Sequence, residues 1–171
     1  DLFVLAGSLP RGVTPLECAN WIAMLTKLGK KVVFDSSREA LAHGIQSSPW
    51  LIKPNEEELG YLVNQPLSSV EACINASAAL DDLIAESKPA NNSLPLKDSL
   101  PTENTASIET SKPIESAKPI ENLIISLGAE GVLWRRDDHW LHSTPPKVDI
   151  VSTVGAGDTL VAGMCWGYLN Q

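Results

Sequence analysis

The residues best suited to chemistry lie near the end of the chain, where an apolar stretch leads into Gly155-Ala156-Gly157 and then directly into Asp158. A small-residue helical run continues from there through Leu169. The first N–H groups of a helix have no acceptor within the helix, and glycines let an anion approach the backbone closely. The pattern predicts a phosphate site with a carboxylate beside it.

The carboxylate of Asp158 would repel a phosphate that is only bound, so its position suggests that it takes part in a proton transfer. It could accept a proton from a hydroxyl group that attacks a phosphoryl group. The simpler interpretation is that Gly155 to Gly157 form a turn and Asp158 only caps the helix, since Asp is a favoured N-cap residue. Short Gly-rich matches often arise by chance, so these four residues alone support both interpretations equally.

A second stretch, residues 53–59, reads Lys-Pro-Asn-Glu-Glu-Glu-Leu. Pro54 keeps Lys53 extended and Asn55 can cap the helix that follows, so structure alone explains half of the motif. Glu58 lies one helical turn beyond Asn55 on the same face. Hard oxygen ligands near a phosphate site suit Mg²⁺, which favours a metal-binding role for this pair.

A third stretch, residues 7–12, reads Gly-Ser-Leu-Pro-Arg-Gly and follows a short apolar run. Arg11 on this loop is a candidate contact for a phosphate that the substrate already carries. Ser8 is a candidate for a hydrogen bond to the substrate. A solvent-facing Arg is the simpler interpretation of Arg11.

The elements that must position these motifs alternate between strand and helix. Apolar runs predict strands at 2–6, 31–35 and 50–53, and apolar stripes predict helices at 14–28 and 37–43. Asn55 opens a further helical stretch that continues to about Ala85. Such alternation with short connections predicts a mostly parallel sheet covered by helices on both faces. Ligands then bind at the carboxyl ends of the strands, where the motifs lie.

Three segments are predicted along the chain. Residues 1–86 form an α/β half with the first two motifs in chain order, and 122–171 form the anion-binding part of the same domain. Between them, 87–121 is rich in Ser, Pro, Asn, Thr, Lys and Glu and contains loose internal copies. This composition buries too little apolar area to offset the entropy of ordering, so we expect a disordered insertion.

Composition sets further limits. The chain has 171 residues, 43% of them hydrophobic, and a net charge of −8, which suits one domain with a core of its own. The acidic balance argues against a nucleic-acid partner. We expect no membrane partner, because no membrane span or signal peptide is recognisable. The three cysteines lack Cys-x-x-Cys spacing and are expected to be reduced thiols in a cytoplasmic protein.

Taken together, the three motifs resemble those of the ribokinase-like sugar kinases, the phosphofructokinase B type family. Residues 152–163 are similar to the second signature of that family, and the stretches at 7–12 and 53–59 occur in the family's order. The resemblance implies a three-layer α/β sandwich with a mostly parallel central sheet, incomplete here. It also implies ATP-dependent phosphorylation of a sugar phosphate with Mg²⁺, and a homodimer in the full-length protein.

The resemblance further implies roles for individual residues. Asp158 is the general base, and the N–H groups of Gly155, Ala156 and Gly157 stabilise charge on the transferring oxygens. Asn55 and Glu58 help to order Mg²⁺. The nucleotide would contact a loop containing three small residues, although a plain strand–turn–strand explains that loop equally well. These residues are Ser126, Gly128 and Gly131.

Within the family, residues 35–37 and 152–158 are most similar to the bacterial 1-phosphofructokinase branch, which makes fructose 1,6-bisphosphate from fructose 1-phosphate. Tagatose 6-phosphate and fructose 6-phosphate kinases share much of this pattern and remain alternatives. A catalytically inactive nucleotide-binding fragment is a third possibility. Family members are about twice as long, and the chain resembles only their later part, so we expect a C-terminal fragment.

Overall fold

A computed structural model describes residues 1–86, 120–147, 149 and 152–170. Within these residues six strands form one sheet, in the order in which they occur along the chain. The first four strands are parallel to one another, and the fifth and sixth strands each pair antiparallel with the strand before them. The predicted mostly parallel sheet is therefore confirmed. The strands are β1 (Leu2–Ala6), β2 (Lys31–Asp35), β3 (Leu51–Ile52), β4 (Asn122–Ser126), β5 (Val132–Arg136) and β6 (His139–Ser143).

Helices cover both faces of the sheet unequally. Connections between parallel strands are nearly always right-handed, so strands added in one direction place their helices on the same face. One core accordingly joins the first four helices to alternating strand residues such as Val32, Phe34 and Ile52. On the opposite face Val33 and Ile124 pack with the fifth helix. The helices are α1 (Pro15–Lys27), α2 (Arg38–Gly44), α3 (Glu56–Val63), α4 (Val70–Glu86) and α5 (Ala156–Leu169).

The sheet and the helices on its two faces form three layers. They give the incomplete α/β sandwich that the sequence predicts. Among the described helices, none combines the length and the apolar character that crossing a membrane requires. The cysteines Cys18, Cys73 and Cys165 are free, and burial raises the pKa of each thiol. A raised thiol pKa lowers the fraction of reactive thiolate at neutral pH.

The helical stretch predicted from Asn55 to about Ala85 is interrupted, which corrects that prediction. α3 ends at Val63, and its C-cap residue Asn64 has a left-handed backbone with φ +52°. The N–H of Gln65 donates to the carbonyl oxygen of Gly60 at 2.9 Å. Asn tolerates this conformation better than most residues, and Pro66 has no N–H to continue a helix. α4 begins only at Val70.

The C-terminal boundary of the predicted insertion also changes. Ile120 is buried in the main core, and Glu121 Oε1 accepts a hydrogen bond from Trp50 Nε1 at 2.9 Å. Both residues therefore belong with the α/β domain. Ile120 lies just before β4, so its apolar side chain can still reach the core. The rest of the predicted insertion, 87–119, lies outside the described residues.

Gly44 allows α2 to pack closely against the sheet. A Cβ at this position would lie 2.2 Å from Cε1 of Phe34, whose ring is buried. We expect Gly44→Ala to lower the free energy of unfolding by about 1–3 kcal/mol, measured by urea denaturation, because the ring must shift within a packed core. Gly163 on α5 is exposed, and a Cβ there would have no atom within 4 Å. Gly163→Ala should therefore raise the free energy of unfolding by about 0.5–1 kcal/mol. Equal effects of the two substitutions would contradict this packing argument.

Candidate active site

The predicted anion site forms the start of α5. Gly155 is the N-cap and has φ +79°, a left-handed conformation that favours glycine. Its carbonyl oxygen accepts hydrogen bonds from the N–H and Oγ1 of Thr159, both at 2.9 Å. Asp158 is the third residue of the helix and its side chain is exposed. The carboxylate is therefore accessible from solvent near the helix N-terminus.

The three N–H groups expected to bind an anion do not have equal freedom. Ala156 donates its N–H to the carbonyl oxygen of Thr153 at 3.1 Å, which closes the turn before the helix. The N–H groups of Gly155 and Gly157 have no backbone acceptor among the described residues. In this conformation two N–H groups of the Gly-Ala-Gly turn, instead of three, are available to an anion.

A buried ion pair lies against this turn. Lys53 is 6% exposed, and its Nζ lies 3.3 Å from Asp35 Oδ1. The same Nζ lies 3.3 Å from the place that a Cβ would take on Gly157. The pair forms because β2 and β3 are parallel neighbours, which places Asp35 and Lys53 at the same edge of the sheet. An ammonium group, a carboxylate and a helix N-terminus thus meet at one point.

The carboxyl group of Asp35 is poorly hydrated. Burial raises the pKa of its carboxyl group; the Lys53 ammonium opposes that rise through charge and a hydrogen bond, and the charge of Asp158 adds to it. The influence of Asp158 shows that the two carboxylates belong to the same local electrostatic environment. Lys53 compensates part of their negative charge.

A cavity of about 1310 Å³ opens beside the ion pair. It brings together most of the residues that the sequence assigns to the nucleotide. Gly155, Asp158 and Glu58 are not part of its lining. The predicted residues that do line it, together with Lys53, are Asn55, Ser126, Gly128, Gly131, Ala156 and Gly157.

Asn55 and Glu58 form a reciprocal capping box at the start of α3. Asn55 Oδ1 accepts from the Glu58 N–H at 2.8 Å, and Glu58 Oε2 accepts from the Asn55 N–H at 2.9 Å. The described residues contain no group of three or more His, Cys, Asp or Glu side chains that could hold a metal. Mg²⁺ commonly needs only one or two protein oxygens besides phosphates and water, so the free Glu58 oxygen still fits such an ion.

Gly131, in the predicted nucleotide loop, has a structural reason for being a glycine. Gly131 has φ +98°, and a Cβ there would lie 2.0 Å from the carbonyl oxygen of Ser143. Ser126 donates its N–H to the carbonyl oxygen of Pro54 at 3.1 Å, which joins this loop to the Lys-Pro-Asn segment. The turn geometry therefore accounts for Gly131 whether or not a nucleotide binds nearby.

The two residues predicted to contact substrate are placed differently. Ser8 lines a smaller cavity of about 330 Å³ together with Ser36, Arg38 and Tyr61. Arg11 is exposed and lines neither of the two cavities. Arg38, with a left-handed φ of +51°, is thus the cation of this smaller cavity.

The sequence interpretation missed Lys53, Asp35 and Arg38 as functional candidates. A signal existed for the first two, since both are charged residues that end otherwise apolar strands at the edge where ligands bind. Their pairing depends on strand order, which the sequence pattern alone does not fix.

Known proteins resemble this chain in sequence. The family model described as pfkB family carbohydrate kinase matches residues 97–171, beginning inside the stretch predicted as an insertion. The chain is 45% identical over 171 residues to the 1-phosphofructokinase of Vibrio cholerae. The chain is therefore similar to the pfkB family of carbohydrate kinases. It is also 35% identical over 172 residues to the 1-phosphofructokinase of Escherichia coli.

Solved pfkB-type structures support the same fold. Phosphofructokinase-2 from Escherichia coli, in complex with substrates and products, superposes with a TM-score of 0.73 at 26% identity over 99% of this chain. The alignment covers 44% of that structure. The two 1-phosphofructokinases are covered to 43% and 44% of their length. The chain therefore spans less than half of its relatives.

Proposed function

We propose that the protein is an ATP-dependent sugar-phosphate kinase that converts fructose 1-phosphate to fructose 1,6-bisphosphate. The observation that carries the proposal is the position of Asp158 at the N-terminus of α5. Asp158 directly follows Gly157, which lines the large cavity and lies close to the buried ammonium of Lys53. A base, two free N–H groups and a cation at one place suit phosphoryl transfer. Because the chain spans less than half of its relatives, the activity is proposed for the protein that contains these residues.

In the proposed reaction, Asp158 accepts the proton of a sugar hydroxyl group as its oxygen attacks the γ-phosphorus of ATP. A new bond forms between the sugar oxygen and phosphorus, while the bond from phosphorus to the β–γ bridging oxygen breaks and releases ADP. The N–H groups of Gly155 and Gly157 donate to the oxygens on which charge develops. Ala156 could join them only if its N–H released Thr153.

Asn55 and Glu58 would hold Mg²⁺, which supplies neutralising charge to the phosphates when bound. Ser126, Gly128 and Gly131 would border the nucleotide in the large cavity. Ser8 would contact the sugar phosphate from the smaller cavity, with Arg38 as the nearby cation. Arg11 retains its proposed substrate contact only if the loop at 7–12 approaches the substrate on binding.

The preference for fructose 1-phosphate rests on relatives named 1-phosphofructokinase. Fructose 6-phosphate and tagatose 6-phosphate are alternative substrates of the same reaction class. We propose a homodimeric, cytoplasmic protein without nucleic-acid or membrane partners. The oligomeric state is open to test, since one solved relative is a tetrameric inhibited form of phosphofructokinase-2.

The proposal is tested by ADP release from Mg-ATP with each of the three sugar phosphates. We expect release that depends on sugar and is greatest with fructose 1-phosphate. Greater release with a 6-phosphate would change the substrate but keep the reaction class. ATP binding without sugar-dependent release would favour an inactive nucleotide-binding fragment.

A further inference from the structure

Arg38 has an unusual backbone conformation for an arginine. Its φ is +51°, in the left-handed region that residues other than Gly, Asn and Asp rarely adopt. The residue begins α2 and is separated from the end of β2 by two serines. Backbone strain of this kind is often found where a ligand binds. Since a glycine would adopt the same conformation without strain, the strain points to a function of the arginine side chain.

Arg38 lines the smaller cavity of about 330 Å³, whose walls are largely polar. Ser8, Ser37 and Tyr61 bring hydroxyl groups, and Glu39 brings a carboxylate. Within the described part of the chain no carboxylate forms an ion pair with Arg38, so an acidic partner does not already neutralise its charge. A guanidinium group can bind a phosphate through two parallel hydrogen bonds, and the other polar groups suit the hydroxyl groups of a sugar. The cavity therefore suits a ligand that carries both.

The smaller cavity lies at the same edge of the sheet as the proposed base. Ser36 Oγ donates to the carbonyl oxygen of Gly7 at 3.0 Å, which joins the loop after β1 to the segment after β2. Both segments line the cavity. Asp35, directly before Ser36, pairs with Lys53 next to the turn that leads into Asp158. A ligand of the smaller cavity would thus be a neighbour of that turn along the carboxyl ends of adjacent strands.

We propose that Arg38 binds the phosphate that the sugar substrate already carries, and that the strained backbone is retained because it presents the guanidinium group to the smaller cavity. The inference rests on the proposed function, since it takes a sugar phosphate as the ligand. The hydroxyl end of the sugar then extends along the edge of the sheet toward Asp158. Arg38 is in this arrangement a substrate-binding residue that favours phosphorylated sugars over free ones.

Two substitutions separate the side chain from the backbone strain. Arg38→Ala removes the guanidinium group and keeps a strained left-handed residue, whereas Arg38→Gly removes both. We expect both variants to bind fructose 1-phosphate roughly 10- to 100-fold more weakly in titration calorimetry, with ATP affinity unchanged, because ATP is assigned to the other cavity. Only Arg38→Gly should raise the melting temperature, by about 2–4 °C. Arg38→Lys should recover part of the affinity for the sugar phosphate.

Asp137→Gly is the matched control for the release of strain. Asp137 has φ +53° in the hairpin turn between β5 and β6, and its N–H donates to the carbonyl oxygen of Glu121, just before β4 begins. It therefore lies at the opposite edge of the sheet from the carboxyl ends of the parallel strands. The substitution should change neither the affinity for fructose 1-phosphate nor that for ATP.

Unchanged binding of fructose 1-phosphate by both Arg38 variants would overturn the inference, as would equal weakening of fructose 1-phosphate and ATP. If the wild-type protein binds fructose 6-phosphate or tagatose 6-phosphate more tightly, a loss of affinity for that sugar in the variants supports the inference and changes only the proposed substrate. Wild-type protein that binds a sugar phosphate but releases no ADP from Mg-ATP would contradict the proposed function, while the affinities of the variants would still report on Arg38.

Discussion

Asp158→Asn is expected to lower kcat for sugar phosphorylation by about 10²- to 10⁴-fold. The amide cannot accept the hydroxyl proton, yet it has nearly the same size and can still lie at a helix N-terminus. ATP affinity should stay the same or improve, because a negative charge beside the phosphates is lost. Steady-state kinetics together with calorimetry of ATP binding measures both effects.

The control for this substitution is Asp138→Asn. Asp138 is an exposed carboxylate in the hairpin turn between β5 and β6, so the change removes the same charge from a different place. It should leave kcat within about twofold, as expected for an exposed site away from the proposed chemistry. If Asp158→Asn retained wild-type turnover, Asp158 would be only a residue of the first helical turn.

The same helix start shows what a sequence can and cannot predict. The Gly-Ala-Gly-Asp pattern predicted where α5 begins, because glycine readily adopts the left-handed backbone conformation, with φ +79°, that is found just before this helix. It did not predict that Ala156 would donate its N–H to Thr153. That bond depends on the conformation of the preceding turn, which local residue preferences do not determine.

Long-range contacts account for the other differences. Apolar runs predicted the parallel strands, but not that Asp35 and Lys53 would become an ion pair across two neighbouring strand ends. Composition likewise assigned Ile120 to the low-complexity tract, although a single isoleucine can enter the core when the next strand starts two residues later. The periodicity of apolar residues indicates which face of a helix or strand is buried, but not which other element packs against that face.

A second buried ion pair is expected to control the stability of the antiparallel part of the sheet. Arg135 on β5 is 7% exposed, and both terminal nitrogens of its guanidinium group donate to the carboxylate of Asp81 on α4. The bond from Nη2 to Asp81 Oδ1 is 2.9 Å long, and Nη2 also lies 3.4 Å from the carbonyl oxygen of Ile120. Arg135 thus joins α4, β5 and the segment before β4.

Asp81→Ala should lower the free energy of unfolding by about 3 kcal/mol, because it leaves a buried guanidinium without its counter-ion. Chemical denaturation measures this loss, with Asp82→Ala as control: Asp82 is the exposed neighbour on the same helix and should change stability by less than about 0.5 kcal/mol. The double variant Asp81→Leu/Arg135→Met should recover most of the loss, since an apolar pair needs no counter-ion. Similar small effects of Asp81→Ala and Asp82→Ala would mean that water already solvates the pair, which would then behave like a surface salt bridge.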